Sequence, residues 1–156
     1  MIENNPSFVS FEYRNGKLVG FLSSDFSVWI EKDPQRLLDK AIKIYGQSVD
    51  KLRENISRMQ ANRKLHKHTT AREVWQIGDS IFELKGKLET LGLQIDGLYD
   101  HLERDLAVKR KWLEKVIILR RYISSIDKIP KTLRWGRCEK GTRKKAIEIN
   151  RGISLE

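Results

Sequence analysis

Two runs of apolar residues at alternating steps of three and four constrain this chain more than any other feature. The first is Leu38, Ile42, Tyr45, Val49, Leu52, Ile56 and Met59, spaced 4, 3, 4, 3, 4, 3. The second is Val74, Ile77, Ile81, Leu84, Leu88 and Leu91, spaced 3, 4, 3, 4, 3. Such steps put every member on one side of an α-helix, so each run predicts a long helix with one apolar seam. Asp33-Pro34 suits the first helix start, because Asp accepts a free backbone N–H and Pro loses nothing at the first helical position. Thr70 and Glu73 form a capping box before the second helix, which should end near Gly92. Gly46 weakens the first helix but lies off its seam. The polar run Asn62–His68 interrupts the periodicity between them. Two such helices with a short connection make an antiparallel helical hairpin. The same seams would also serve a coiled coil with a second copy or a protein partner, and periodicity does not separate the two. Trp75 and Phe82 lie on the flank of the second helix, where a third element would meet them.

The flanks of this pair read differently. Residues 7–13 alternate polar and apolar, as in a half-buried strand, and Asn15-Gly16 is a strong hairpin signal because both residues tolerate positive φ. Residues 17–22 would form the return strand and 26–30 a third. A lone hairpin is marginal in water, so this one should pack on the helices or add to a partner's sheet. Beyond Gly92, Gln94 or Asp96 opens a helix with Leu98, Leu102, Leu106 and Ala107 on one stripe. Val108-Lys109-Arg110-Lys111 is a short basic break. Trp112, Leu113, Val116, Ile117, Leu119 and Ile123 mark the next amphipathic helix, ending near Ser124. Ile129-Pro130 breaks regular structure, Leu133–Gly136 reads as one turn of helix, and Thr142 caps a last basic helix from Arg143 to Asn150. The expected protein is mainly α. It has a β-hairpin region at 1–32, a helical hairpin at 33–93 and a basic, helix-turn-helix-like module at 94–156, the last two forming one compact domain.

Charge then points to a partner. Between Arg104 and Lys145 there are fifteen Lys or Arg against four Asp or Glu, a net of +11 in a chain whose total is +10. All of the excess lies in one segment, interleaved with Trp112, Tyr122 and Trp135, and it predicts a polyanionic partner. A helix-turn-helix reading puts Lys109, Arg110, Lys111 and Lys115 at the start of the second helix, where such residues meet base edges and phosphates. Arg120 and Arg121 would touch the backbone from its far end. Lys131, Arg134, Arg137, Arg143, Lys144 and Lys145 form a second basic cluster. Basic helices that hold phosphates without that geometry, or a merely solvated basic face, fit the same residues. Trp135 either stacks on an unpaired base or fills the core. The expected partner is nucleic acid, DNA ahead of RNA. The alternative is a structural or adaptor subunit of a larger assembly, ribonucleoprotein or defence, docking through the heptad helices and the hairpin.

Residues 74–122 resemble a known pattern. Val74-Trp75-Gln76-Ile77-Gly78-Asp79-Ser80-Ile81, Leu102-Glu103-Arg104-Asp105-Leu106, Trp112-Leu113 and Arg121-Tyr122 resemble W-x-I-G-x-x-I … L-x-x-D-L … N-L-x-x-M-x-x-F-Y. That pattern belongs to the helical N-terminal domain fused to a family of bacterial PD-(D/E)xK nucleases. The third motif lacks its Asn and its aromatic pair. The resemblance implies a helical, nucleic-acid-associated domain and carries no catalytic residues, since the nuclease half is absent.

Other chemistry finds little footing. Asp79 with Glu83-Leu84-Lys85 echoes nuclease spelling but falls on a predicted helix, whereas metal-assisted hydrolysis needs carboxylates converging on an ion. His66, His68, His101 and the lone Cys138 have no zinc spacing. Gly141-Thr142-Arg143-Lys144 lacks the first Gly and the Lys-Ser/Thr order of a phosphate loop. No catalytic residues, cofactor or metal are expected. A single cysteine, the absence of a leader pattern in the first residues and the lack of a long apolar run predict a cytoplasmic protein without membrane partners.

Overall fold

The computed structural model describes residues 7–22 and 34–153, so the Asp33 cap and the expected strand at 26–30 lie outside the described residues. The hairpin forms as expected, with strand β1 (Ser7–Arg14) pairing antiparallel with β2 (Lys17–Leu22). Asn15 and Gly16 both take positive φ, 51° and 77°, as a two-residue turn of this hand requires. Val9 and Phe11 turn inward and are buried.

Helix α1 (Pro34–Lys64) and helix α2 (Ala71–Thr90) pack against each other across the link 65–70. The seam of α1 is used inside the chain. Tyr45, Val49 and Leu52 are fully buried, and Ile56 and Met59 almost so. Leu38 and Ile42 are half-buried beside β2, where a Cβ on Gly20 would lie 2.9 Å from Leu38 Cδ1 and 3.0 Å from Ile42 Cγ1. The expectation that Leu38, Ile42, Tyr45, Val49, Leu52, Ile56 and Met59 offer a dimer or partner seam is corrected accordingly. Leu37 and Ala41 are buried as well, so the stripe steps by four at its N-terminal end and is too broad for a two-stranded coil. On α2 the seam is buried from Val74 to Leu88, and the Thr70 hydroxyl accepts the Glu73 N–H at 3.2 Å. The reciprocal half of the capping box differs, because the Glu73 carboxylate meets the Thr70 hydroxyl and not its N–H.

After α2 the chain departs from expectation. No helix opens at Gln94 or Asp96. Instead β3 (Leu93–Ile95) pairs parallel with β1, aligning Ser7 with Leu93 and Val9 with Ile95, in a sheet of order β2-β1-β3. Gly92 and Gly97, at φ 76° and 69°, bend the chain into and out of this strand. Helices α3 (Leu98–Leu106) and α4 (Arg110–Tyr122) follow, separated by residues 107–109. Two 3-10 turns, Ile126–Lys128 and Trp135–Arg137, lead to α5 (Thr142–Asn150). Thr142 does not cap α5. Its hydroxyl donates to the Cys138 carbonyl at 2.7 Å, and Gly141 holds the capping position at φ 64°.

One apolar cluster runs from Val9 to Ile149 and includes residues of every helix, so the hairpin shares its core with the rest. At its centre Phe11 and Tyr45 stack with centroids 4.3 Å apart, and His101 meets both edge-on. His101 Nε2 accepts the Phe11 N–H at 2.9 Å while Nδ1 donates to the Gly97 carbonyl, which fixes the tautomer. The Tyr45 hydroxyl donates to buried Asp105. Arg104 bonds the same carboxylate at 2.8 and 3.0 Å and the Phe11 carbonyl at 2.7 Å. A buried carboxylate is tolerated only with this full set of donors. No described helix is long and apolar enough to cross a membrane.

Candidate nucleic-acid interface

The site is built from three separated stretches. α1 ends in a Schellman motif: the Lys67 N–H bonds the Asn62 carbonyl at 2.9 Å and the His66 N–H bonds the Arg63 carbonyl at 3.0 Å. His66 holds the left-handed position at φ 59°, where Gly is usual. The chain then runs beside the tail. Ala71 N–H donates to the Leu133 carbonyl at 2.8 Å, and Trp135 N–H to the Thr69 carbonyl at 2.9 Å. These bonds lock residues 133–135 against 69–71 as a two-residue antiparallel bridge.

A cleft of about 820 Å³ opens along that bridge. Met59 and Arg63 of α1 line it, with His66 to Thr69 of the link, Trp112 of α4, and Arg134 to Arg137 and Glu139 of the tail. Four guanidinium or ammonium groups thus face one carboxylate across a wall carrying two indoles. Trp135 is buried at 4 % exposure, as the core-filling alternative expects, yet its Nε1–H has no acceptor among the described residues. An unpaired buried donor costs about 1–3 kcal/mol.

The predicted basic residues divide into four groups. Arg134 and Arg137 line the cleft. Lys109, Lys111, Arg121, Lys131 and Lys144 are exposed and make no ion pair with described residues. Lys109 and Lys115 lie three residues either side of Trp112, on its side of α4, although Lys115 is half-buried. Lys145 is half-buried near Cys138, and Arg143 lies over the Tyr122 ring at 5.3 Å.

Two residues serve the fold instead. Arg120 bonds Asp79 at 2.8 Å and sits 4.9 Å over both the Trp75 and Phe82 rings. It is a clamp between α4 and α2, not a free phosphate ligand, because the apolar side of α4 carries it inward. Arg110 is held by Asp100 at 3.0 Å and Glu114 at 3.6 Å, over the Tyr99 ring. Asp79 and Glu83 are likewise engaged on α2, the latter with Lys51 at 4.0 Å.

No family model, curated protein or solved structure matches this chain. Several residues of the nuclease-domain resemblance have packing roles, whereas Gln76 and Arg121 are exposed. Trp75 Nε1–H donates to the Ile123 carbonyl at 2.9 Å, and Gly78 brings α2 against α4, where a Cβ would lie 2.9 Å from the Val116 carbonyl oxygen. Asp105 anchors the central network. Among the described residues no three metal-capable side chains converge, even with His66 and His68 beside the cleft.

Sequence reasoning missed Arg63, Lys67 and their part of the wall. From Arg58 to Arg72 there are five Lys or Arg and no Asp or Glu. That local cluster was legible, but acidic residues elsewhere in the first hundred positions cancel it in a segment sum.

Proposed function

We propose that this chain is a nucleic-acid-binding protein without catalysis of its own, acting on DNA ahead of RNA. The observation that supports the reading is the cleft, where basic side chains from the α1 terminus and the tail flank Trp112 and Trp135. Lys109, Lys111 and Lys115 extend the positive surface along α4 from Trp112. In this reading α3, residues 107–109 and α4 act as the helix-turn-helix-like unit, and the exposed Lys131, Arg134, Arg137 and Lys144 hold phosphates beside it. Lys and Arg on phosphates release counterions, so affinity falls steeply with salt. The test is fluorescence anisotropy of labelled duplex DNA, single-stranded DNA and RNA over a salt series. A linear fall of log affinity with log salt supports the reading, and no binding at low salt overturns it. Lys109→Glu with Lys111→Glu should weaken binding at least about tenfold, since each charge reversal removes a phosphate contact and adds a repulsion.

A second reading, an adaptor subunit of an assembly, retains one favourable observation. Phe8 and Phe21 are 44 % and 40 % exposed on the sheet, and β2 is an edge strand. With the α1 seam internal, docking would rest on the hairpin alone. Nucleic-acid affinity unchanged by Phe8→Ser and Phe21→Ser, together with a loss of self-association in light scattering, would support a docking role for that face.

A further inference from the structure

We infer that the cleft between the α1 terminus and the tail receives one unpaired nucleotide, with its base against Trp112 and its phosphate between Arg63, Arg134 and Arg137. This deepens the nucleic-acid reading and rests on it. Three observations converge. The cleft volume of about 820 Å³ lies within the roughly 300–1,000 Å³ of small-ligand pockets, too large for a phosphate alone. Its walls pair aromatic surface with cations, the combination that holds single strands, whereas phosphate rails for a duplex need no aromatic face. The third is the buried Trp135 indole, a cleft-lining residue whose N–H lacks an acceptor among the described residues. That nitrogen is closed off from solvent, so a base carbonyl or ring nitrogen in the cleft reaches it only when the indole turns toward the cleft. Among the described residues the lining carboxylate is Glu139, which sits among the tail residues and suits a donor on the same base.

The walls are stiff. The backbone bonds from Ala71 and Trp135 hold both sides, and the Schellman motif fixes the α1 end. A preformed site of this kind selects a nucleotide already out of a base stack, because unstacking a paired one costs a few kcal/mol.

The experiment compares three labelled ligands of equal length by anisotropy: single-stranded oligo-dT, its abasic counterpart and a blunt duplex. The expected result is that oligo-dT binds at least about tenfold tighter than the abasic strand, as one stacked base provides. Trp112→Ala should remove that difference, while Trp112→Phe keeps most of it. A second variant avoids any loss of folding. Gly136 lines the cleft, is exposed and has room for a Cβ, with nothing within 4 Å, so Gly136→Phe should add a ring at the cleft wall. It should reduce oligo-dT affinity to the abasic level. Equal binding of base-containing and abasic strands, or oligo-dT affinity unaffected by Gly136→Phe, overturns the nucleotide pocket and leaves phosphate binding standing. Absence of binding by all three ligands at low salt overturns both. Thymidine monophosphate added free should displace oligo-dT only weakly. If it binds as tightly as the strand, the cleft serves free nucleotides and this inference fails.

Discussion

Arg120 and Asp79 join α4 to α2 through a 2.8 Å hydrogen bond set between the rings of Trp75 and Phe82. Its neighbour Arg121 is exposed and makes no ion pair with described residues. Arg120→Ala should therefore cost about 1–2 kcal/mol of stability through the lost charged bond and cation–π contacts. Arg121→Ala should cost under about 0.5 kcal/mol, as surface changes do. Urea denaturation of both variants reads the contrast. Nucleic-acid affinity should move the opposite way, falling for Arg121→Ala and holding for folded Arg120→Ala.

Gly78 marks the closest approach of the same two helices. An added Cβ would lie 2.7 Å from Arg120 Cβ and 2.9 Å from the Val116 carbonyl oxygen, and a backbone atom cannot swing aside. Gly78→Ala should destabilise by roughly 1–3 kcal/mol despite the better helix propensity of Ala. Calorimetry should show a Tm lower by about 2–4 °C for each kcal/mol. An unchanged or raised Tm would mean that α2 and α4 do not cross there.

Besides Asn15 in the hairpin turn, two described residues hold left-handed backbone without being Gly: Ala107 at φ 53° between α3 and α4, and His66 at φ 59° after α1. An L-residue there carries roughly 1–2 kcal/mol of strain, part of which a Gly forfeits in unfolded-state entropy. Ala107→Gly and His66→Gly should each raise stability by up to about 1 kcal/mol in chemical denaturation. His66→Gly should also lower nucleic-acid affinity, because the imidazole lines the cleft.

Acid should loosen the central network. Burial alone would raise the Asp105 carboxyl, but hydrogen bonds from Arg104 and Tyr45 outweigh it and hold the group below its ordinary 3.8. A depressed folded value means that the unfolded chain takes up its proton first as pH falls. Stability from Asp105 is thus complete above the ordinary carboxylate range and lost as pH drops through the lowered value. Tyr45 mirrors this at the alkaline end, since burial and Asp105 push its hydroxyl well above 10 and stability is lost once pH rises past that. Denaturation midpoints against pH should show a plateau between these limits. Asp105→Asn should lower the plateau and flatten its acid edge; an acid edge identical to the parent's would remove Asp105 from this role.

Cys138 should be inert in the folded chain. Burial pushes its thiol up to about 11, with Lys145 pulling slightly the other way, and the side chain has no exposure. Thiolate is the reactive form. Iodoacetamide labelling at neutral pH should proceed only as fast as the chain opens, and should become rapid in denaturant. Fast labelling without denaturant would show that the turn at 135–138 is open.

The seams of α1 and α2 and the Asn15-Gly16 turn were legible because each depends on neighbours within about one helical turn or one hairpin. β3 was not, since three residues show no periodicity and their partner Ser7 lies 86 positions earlier. Arg120 and Arg121 illustrate a finer limit. They are identical and adjacent, and one step around a helix rotates the side chain by about 100°, so which one faces α2 depends on how the helices dock. Basic residues of the tail could be read as a polyanion surface, and Trp112 and Trp135 as aromatic company. Their meeting with Arg63 and Lys67 required the bridge between 69–71 and 133–135, which no local pattern announces.

That bridge also orders events in time. Thr70 and Arg134 stand 64 positions apart in the chain. A ribosome adding about 5–20 residues per second takes roughly 3–13 s to cover that distance. Through that interval a growing chain carries the α1 half of the cleft with no opposite wall. If the cleft holds a strand as proposed, capture would be withheld from the nascent protein until the tail has emerged, and a growing chain could not use the finished cleft to seize the message from which it is being translated.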